Sequence, residues 1–159
     1  MRHTISQSKK YKGMYYINSK PFLIDNLEFI SKSDRFSDSE LKSFGLFLKR
    51  AEDKDRVKKI ISMVSKFYDT DINTRNRKRN VCEPRQIAMY LSRLPKNKYN
   101  KRTPLTLVGD AFGMGHDTVL NAVKNISNWI ETDKQLRDDV EFLSNKVKEL
   151  QLSDNLVVD

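Results

Sequence analysis

The chain predicts an all-α fold, a helical bundle containing a helix-turn-helix, with a small N-terminal extension whose structure the pattern leaves open. Three stretches carry that prediction. Val57, Ile60, Ile61, Val64, Phe67 and Tyr68 recur at the spacing of one wide buried stripe on an amphipathic helix. Leu105 to Val119, LTLVGDAFGMGHDTV, reads as a short helix, a glycine turn and a second helix opening on small polar groups. Leu136, Val140, Leu143, Val147 and Leu150 alternate steps of four and three, the mark of a last helix with one apolar face.

Taken in order, MRHTISQSKK reads as a polar, mobile terminus. MYYIN and FLIDNLEFI follow, separated by Asn18-Ser19-Lys20-Pro21. Their aromatic and β-branched residues suit a small hairpin, while Leu27 to Ile30 suit the start of a helix equally well. Ser37 or Asp38 resembles an N-cap, with Glu40 in the first turn and Leu41, Phe44, Phe47 and Leu48 on one face; Gly45 weakens this helix. The clear helix begins near Lys54 and ends near Tyr68. DTDINTRNRKRN has no periodicity and reads as a loop, and Pro84 suits the first turn of a helix presenting Ile87, Ala88, Leu91 and Leu94. Pro95 and KNKYNKR break that helix. Thr103 and Pro104 then supply a cap and a first-turn proline, and Phe112 to Gly115 forms the turn, with Gly113 and Gly115 where a positive φ is cheap. The second helix of the motif runs from His116 to about Ile130, with Val119, Ala122, Val123, Ile126 and Ile130 inward. The last, from about Asp133, has a stripe long enough for two heptads, but packing on its own domain is the favoured reading. The expected organisation is an extension over 1–53, partly mobile, a domain over 54–151 and a flexible tail over 152–159.

Charge is unevenly spread. The chain has 30 Lys and Arg against 21 Asp and Glu, and a pI near 9.6. Asp71 to Arg102 holds ten basic and two acidic residues, whereas the segment from Glu131 onward holds eight acids and four bases. Such polarity suits a molecule with one face meant for phosphates. Cys82 is the single cysteine, which excludes an intramolecular disulfide and a cysteine metal cluster. No apolar run follows the early lysines, and none approaches the ~20 residues of a membrane span. The expected location is the cytoplasm, in association with the nucleoid. His3 and His116 lie far apart without a Ser, Asp or Cys constellation, and no G-x-x-x-x-G-K-S/T run occurs. A non-enzyme without cofactor, metal or nucleotide is expected.

Two groups of residues suit DNA. Arg75, Arg77, Lys78 and Arg79, too dense to fold inward, must face water or phosphate, and arginines on a loop also suit a minor groove. His116, Asp117, Thr118 and Asn121 open the second helix of the motif with short side chains able to approach base edges. Asp117 is the discordant member: a carboxylate near phosphates is repelled, and helix capping explains it equally well. Lys124 on the outward face, and Thr103 and Thr106 at the opening of the first helix, complete the candidate set.

With these motifs laid out, Val57 to Leu150 resembles the C-terminal DNA-binding domain (domain IV) of the bacterial chromosomal replication initiator DnaA. The resemblance rests on VKKIISMVSKFYDTDI, the basic loop RNRKR, PRQIAMYL and VGDAFGMGHDTVLNAVKNI, in that order. It implies that family's helical bundle, of a Trp-repressor-like kind. It also implies Arg77 or Arg79 in a minor groove, Arg85 and Gln86 on phosphates, and His116, Asp117 and Thr118 where the family has His-Thr-Thr at the start of its major-groove helix. This chain departs from the pattern: the turn is one residue shorter, Gly115 stands where the family has a base-reading Asp, and Asp117 replaces a Thr. The basic loop is about three residues shorter and the connection before Thr103 about five longer. The ATPase domain that precedes domain IV in the family has no counterpart in this sequence.

The expected function is sequence-selective binding of double-stranded DNA by a stand-alone reader, in replication-origin recognition or its regulation, with phage, plasmid or other mobile-element settings fitting. A replication protein or a host initiator would be a further partner. The alternatives are a transcriptional repressor, or an interaction module with a repurposed helix-turn-helix that docks a partner through Met14 to Ile30. RNA binding suits the geometry less well.

Overall fold

The computed structural model describes residues 3–9, 14–23, 36–96 and 101–156. Among them are three short strands, β1 (Ile5–Gln7), β2 (Met14–Ile17) and β3 (Lys20–Leu23). Five helices follow: α1 (Asp38–Tyr68), α2 (Arg79–Ser92), α3 (Leu105–Phe112), α4 (His116–Thr132) and α5 (Lys134–Leu156). The chain divides into two compact units at Glu52/Asp53. No described helix is long and apolar enough to cross a membrane.

In the first unit β1, β2 and β3 form an antiparallel sheet in that order. Tyr15 faces Phe22 and Ile17 faces Lys20 across the hairpin, whose turn is Asn18-Ser19. Both turn residues have positive φ, 49° and 66°, as a two-residue turn matched to strand twist requires. The hairpin reading of MYYIN therefore holds, and the supposed mobile terminus instead supplies β1, with Ile5 opposite Ile17. Leu27 to Ile30 lies outside the described residues. Ser37 is the cap of α1 in a reciprocal arrangement: its N–H and hydroxyl donate to Glu40 Oε1 while its Oγ accepts from the Glu40 N–H. Asn18 also donates to Glu40, at 3.0 Å. These bonds, the Ser37 N–H foremost, hold the Glu40 carboxyl below its ordinary value although burial opposes them. Ile17, Phe36 and Phe44 make this unit's core, with the Tyr15 ring edge-on to Phe44.

The sequence suggests two helices before Tyr68; there is one. Between Leu48 and Val57 the apolar pattern lapses into KRAEDKDR, yet these residues are good helix formers and no proline or glycine interrupts them. Asp53, 6% exposed, is held by Lys96 at 2.6 Å.

The second unit is the bundle. Val57, Ile60 and Val64 of α1 meet Ile87 and Leu91 of α2, Val108 of α3, Val119 and Ile126 of α4, and Leu136, Val140, Leu143 and Val147 of α5 in one buried cluster. The α5 stripe therefore packs on its own domain. Phe67, expected inside, is 41% exposed and lies against the exposed Phe142 with ring centroids 5.5 Å apart. Its neighbour Tyr68 turns inward and donates to Asp139 at 3.1 Å; burial first, and Asp139 second, push that phenol above its ordinary value. Asp133 alone separates α4 from α5: its N–H bonds back to the Trp129 carbonyl while its carboxylate caps α5 by accepting from the Leu136 N–H. Helix α5 continues to Leu156, so the segment from 152, expected as a flexible tail, is helical that far.

Candidate nucleic-acid interface

The motif is built by α3, a short turn and α4. Gly113 ends α3 in the left-handed region at φ 65°, where its N–H closes on Asp110. Gly115, expected to share that property, instead has φ −72° and leads into α4. The glycine that sequence reasoning overlooked is Gly109: a Cβ there would run into the Met114 carbonyl oxygen, so the turn folds directly onto the side of α3. The signal was available, since this glycine lies inside an otherwise apolar helix.

Helix α4 begins at His116 as the sequence predicts. His116, Asp117, Thr118, Asn121 and Lys124 are all exposed, opposite the buried Val119, Ala122 and Ile126. His116 Nε2 lies 3.1 Å from Asp117 Oδ1, and Asp117 stands in the first turn, where the helix dipole favours a carboxylate. Thr106 of α3 is exposed as well. Leu120 is an exposed apolar residue on the same helix that sequence reasoning did not single out.

Thr103 needs correction. Its side chain is fully buried, and Pro104 rather than Thr103 precedes α3. Arg56 donates from Nη1 to Thr103 Oγ1 at 3.3 Å and to the Ser92 carbonyl at 3.1 Å, and Arg93 donates to the Thr103 carbonyl at 2.6 Å. Thr103 thus ties α1, the end of α2 and the start of α3 together, and its side chain cannot reach a phosphate. Burial lowers both guanidinium pKa values from their ordinary range, with Arg102 adding to the effect on Arg93.

The basic loop spans Asp69 to Lys78, because α2 starts at Arg79, five residues earlier than Pro84 suggested. Asn73 N–H bonds to the Asp71 carboxylate and Lys78 N–H to the Asn76 side chain, two local turns that shape the loop. Arg75, Arg77 and Lys78 are exposed; Arg79, also exposed, pairs with Glu83 at 3.2 Å. Arg85 is the second correction. It is 6% exposed and turned inward: Nε donates to the Ile72 carbonyl at 2.9 Å, and Nη2 to the carbonyls of Asn76, at 3.1 Å, and Thr74. A guanidinium spent on three carbonyls shapes the loop from behind and is not presented to solvent. Gln86 is partly buried, with Oε1 buried and unpartnered.

These features define a helix-turn-helix domain whose second helix exposes polar side chains at its N-terminus, in a unit that also carries an exposed cationic loop ahead of α2. Residues 55–126 match the family described as the bacterial dnaA protein helix-turn-helix. That stretch is similar to the DnaA helix-turn-helix, as the motifs implied. The match ends within α4. Chromosomal replication initiator protein DnaA of Caldanaerobacter subterraneus subsp. tengcongensis is 39% identical over 97 residues, covering 58% of this chain and 20% of that protein. The protein of the same name from Ehrlichia ruminantium is 37% identical over 89 residues, 54% of this chain and 18% of its own length. That of Mycoplasma capricolum subsp. capricolum is 33% identical over 119 residues, 72% and 24% respectively. The chain spans about a fifth of the length of these curated relatives.

Proposed function

We propose that this domain binds double-stranded DNA, with the N-terminal half of α4 in the major groove and the loop before α2 on the flanking backbone and minor groove. The observation that carries the reading is the free outward face of α4, where His116, Thr118, Asn121 and Lys124 are exposed at the end bearing the positive pole of the helix dipole. Arg75, Arg77 and Lys78 supply charge, held in place by Arg85 from inside; Gln86 and Thr106 join as backbone contacts. Asp117 opposes phosphate and serves as a reader of a cytosine amino group or as a brake on non-specific affinity. The likeness to DnaA's C-terminal domain supports a place in replication-origin recognition or its regulation, with a host initiator or another replication protein as partner. In this role the chain binds and does not catalyse.

Selection of bound duplexes from a random library at two salt concentrations tests this. A common sequence should be enriched, and affinity should fall steeply with salt. With Arg75 and Arg77 changed to Ala, the slope should shrink by about 0.9 for each phosphate left without its cation. Salt-insensitive binding without enrichment refutes DNA reading and leaves the interaction-module alternative.

A further inference from the structure

From His116 to Lys124 every exposed residue of α4 but one is polar or charged: His116, Asp117, Thr118, Asn121 and Lys124. The exception is Leu120, 53% exposed. The buried stripe of Val119, Ala122 and Ile126 lies about 100° or more around the helix from it, so Leu120 belongs to the outward face. Of its neighbours one turn away, His116, Asp117 and Lys124 are exposed and only Val123 is half-buried. A lone exposed leucine is ordinary on a protein surface. On this face it is informative, because its companions can all form hydrogen bonds and it cannot. Leu120 gains nothing from phosphate oxygens or from the donors and acceptors on base edges. Among the groups displayed in a major groove, the apolar one is the C5 methyl of thymine.

We propose that Leu120 packs against the C5 methyl of a thymine and so makes thymine the preferred base at one position of the bound duplex. The assignment rests on the placement of α4 in the major groove argued above. Leu120 stands about 4.5–6 Å along the helix axis from Asp117 and His116. Base pairs repeat at about 3.4 Å, so this thymine falls one or two pairs from the pair that those two residues face.

Replacing each thymine of a selected duplex by uracil, one at a time, removes a single methyl and keeps the pairing and the phosphate charge. Fluorescence anisotropy measures the affinity of the full chain for each duplex. At one position uracil should weaken binding by about fourfold, the effect of withdrawing one buried methyl group. Leu120→Ala should weaken binding to the thymine duplex by at least that factor and bind the thymine and uracil forms equally at that position. The salt slope and Tm of the variant should match those of the parent, since neither a charge nor a buried side chain is lost. Selective binding that no uracil substitution weakens, or uracil effects that all survive Leu120→Ala, overturns the assignment and leaves the DNA reading intact. Failure of any duplex to be enriched overturns both.

Discussion

Replacing Arg85 with alanine separates two roles that the sequence alone cannot tell apart. The Ile72 carbonyl belongs to a fully buried residue, and losing its charged donor costs about 1.5–3 kcal/mol. Thr74 and Asn76 are exposed residues whose carbonyls recover water, so the bonds from Nη2 add about 1 kcal/mol at most. Releasing a cation from the interior offsets part of the sum. The expected loss is about 2–3 kcal/mol, or about 10–15 °C in Tm for a unit of this size. Arg85→Lys should recover little, because one ammonium cannot span the three carbonyls. Thermal denaturation measures the stability, and fluorescence anisotropy on a selected duplex across a salt series measures binding. Affinity should fall as the loop loses its shape, yet the slope of log affinity against log salt should stay unchanged, since every exposed loop cation remains. A variant with normal Tm and a slope reduced by about 0.9 would show Arg85 on a phosphate and defeat the argument.

The glycines of the motif should rank by mechanism. Gly113→Ala meets no atom within 4 Å but must hold φ 65°, costing about 1–2 kcal/mol, whereas Gly109→Ala drives a methyl into the Met114 backbone and should cost about 3 kcal/mol or more. Gly115→Ala should be nearly neutral, and urea denaturation of the three variants checks the order. In the first unit the depressed Glu40 carboxyl contributes stability that is complete above its ordinary value of 4.5 and is lost as pH falls below it through the folded-state value. Protection factors of the β2 amides, which take out the intrinsic acid slowing of exchange, should therefore fall on acidification, and Glu40→Gln should remove that dependence while showing lower protection at neutral pH.

What could be read in the sequence was burial periodicity and punctuation. The start of α4 at His116 and the stripe of α5 were legible because apolar spacing and a glycine turn report packing directly. The continuity of α1 was not, because KRAEDKDR is helical by propensity and has no stripe to register. Arg85 and Thr103 were misplaced for a related reason: a polar residue looks like surface until its partners are known, and theirs are backbone carbonyls and arginines distant in sequence. The early start of α2 was hidden because Arg79 and Asn80 share the composition of the loop before them. Pro84, whose missing N–H suits a first turn, instead lies inside the helix.

The lone spacer at Asp133 makes chain length at that point unforgiving. One residue added or removed there would turn α5 by about 100° and swing Leu136, Val140, Leu143 and Val147 out of the core. The stretch ahead of Thr103 joins α2 to α3 without such a stripe to keep in register, so insertions and deletions among descendants of this gene should accumulate there and spare the joint.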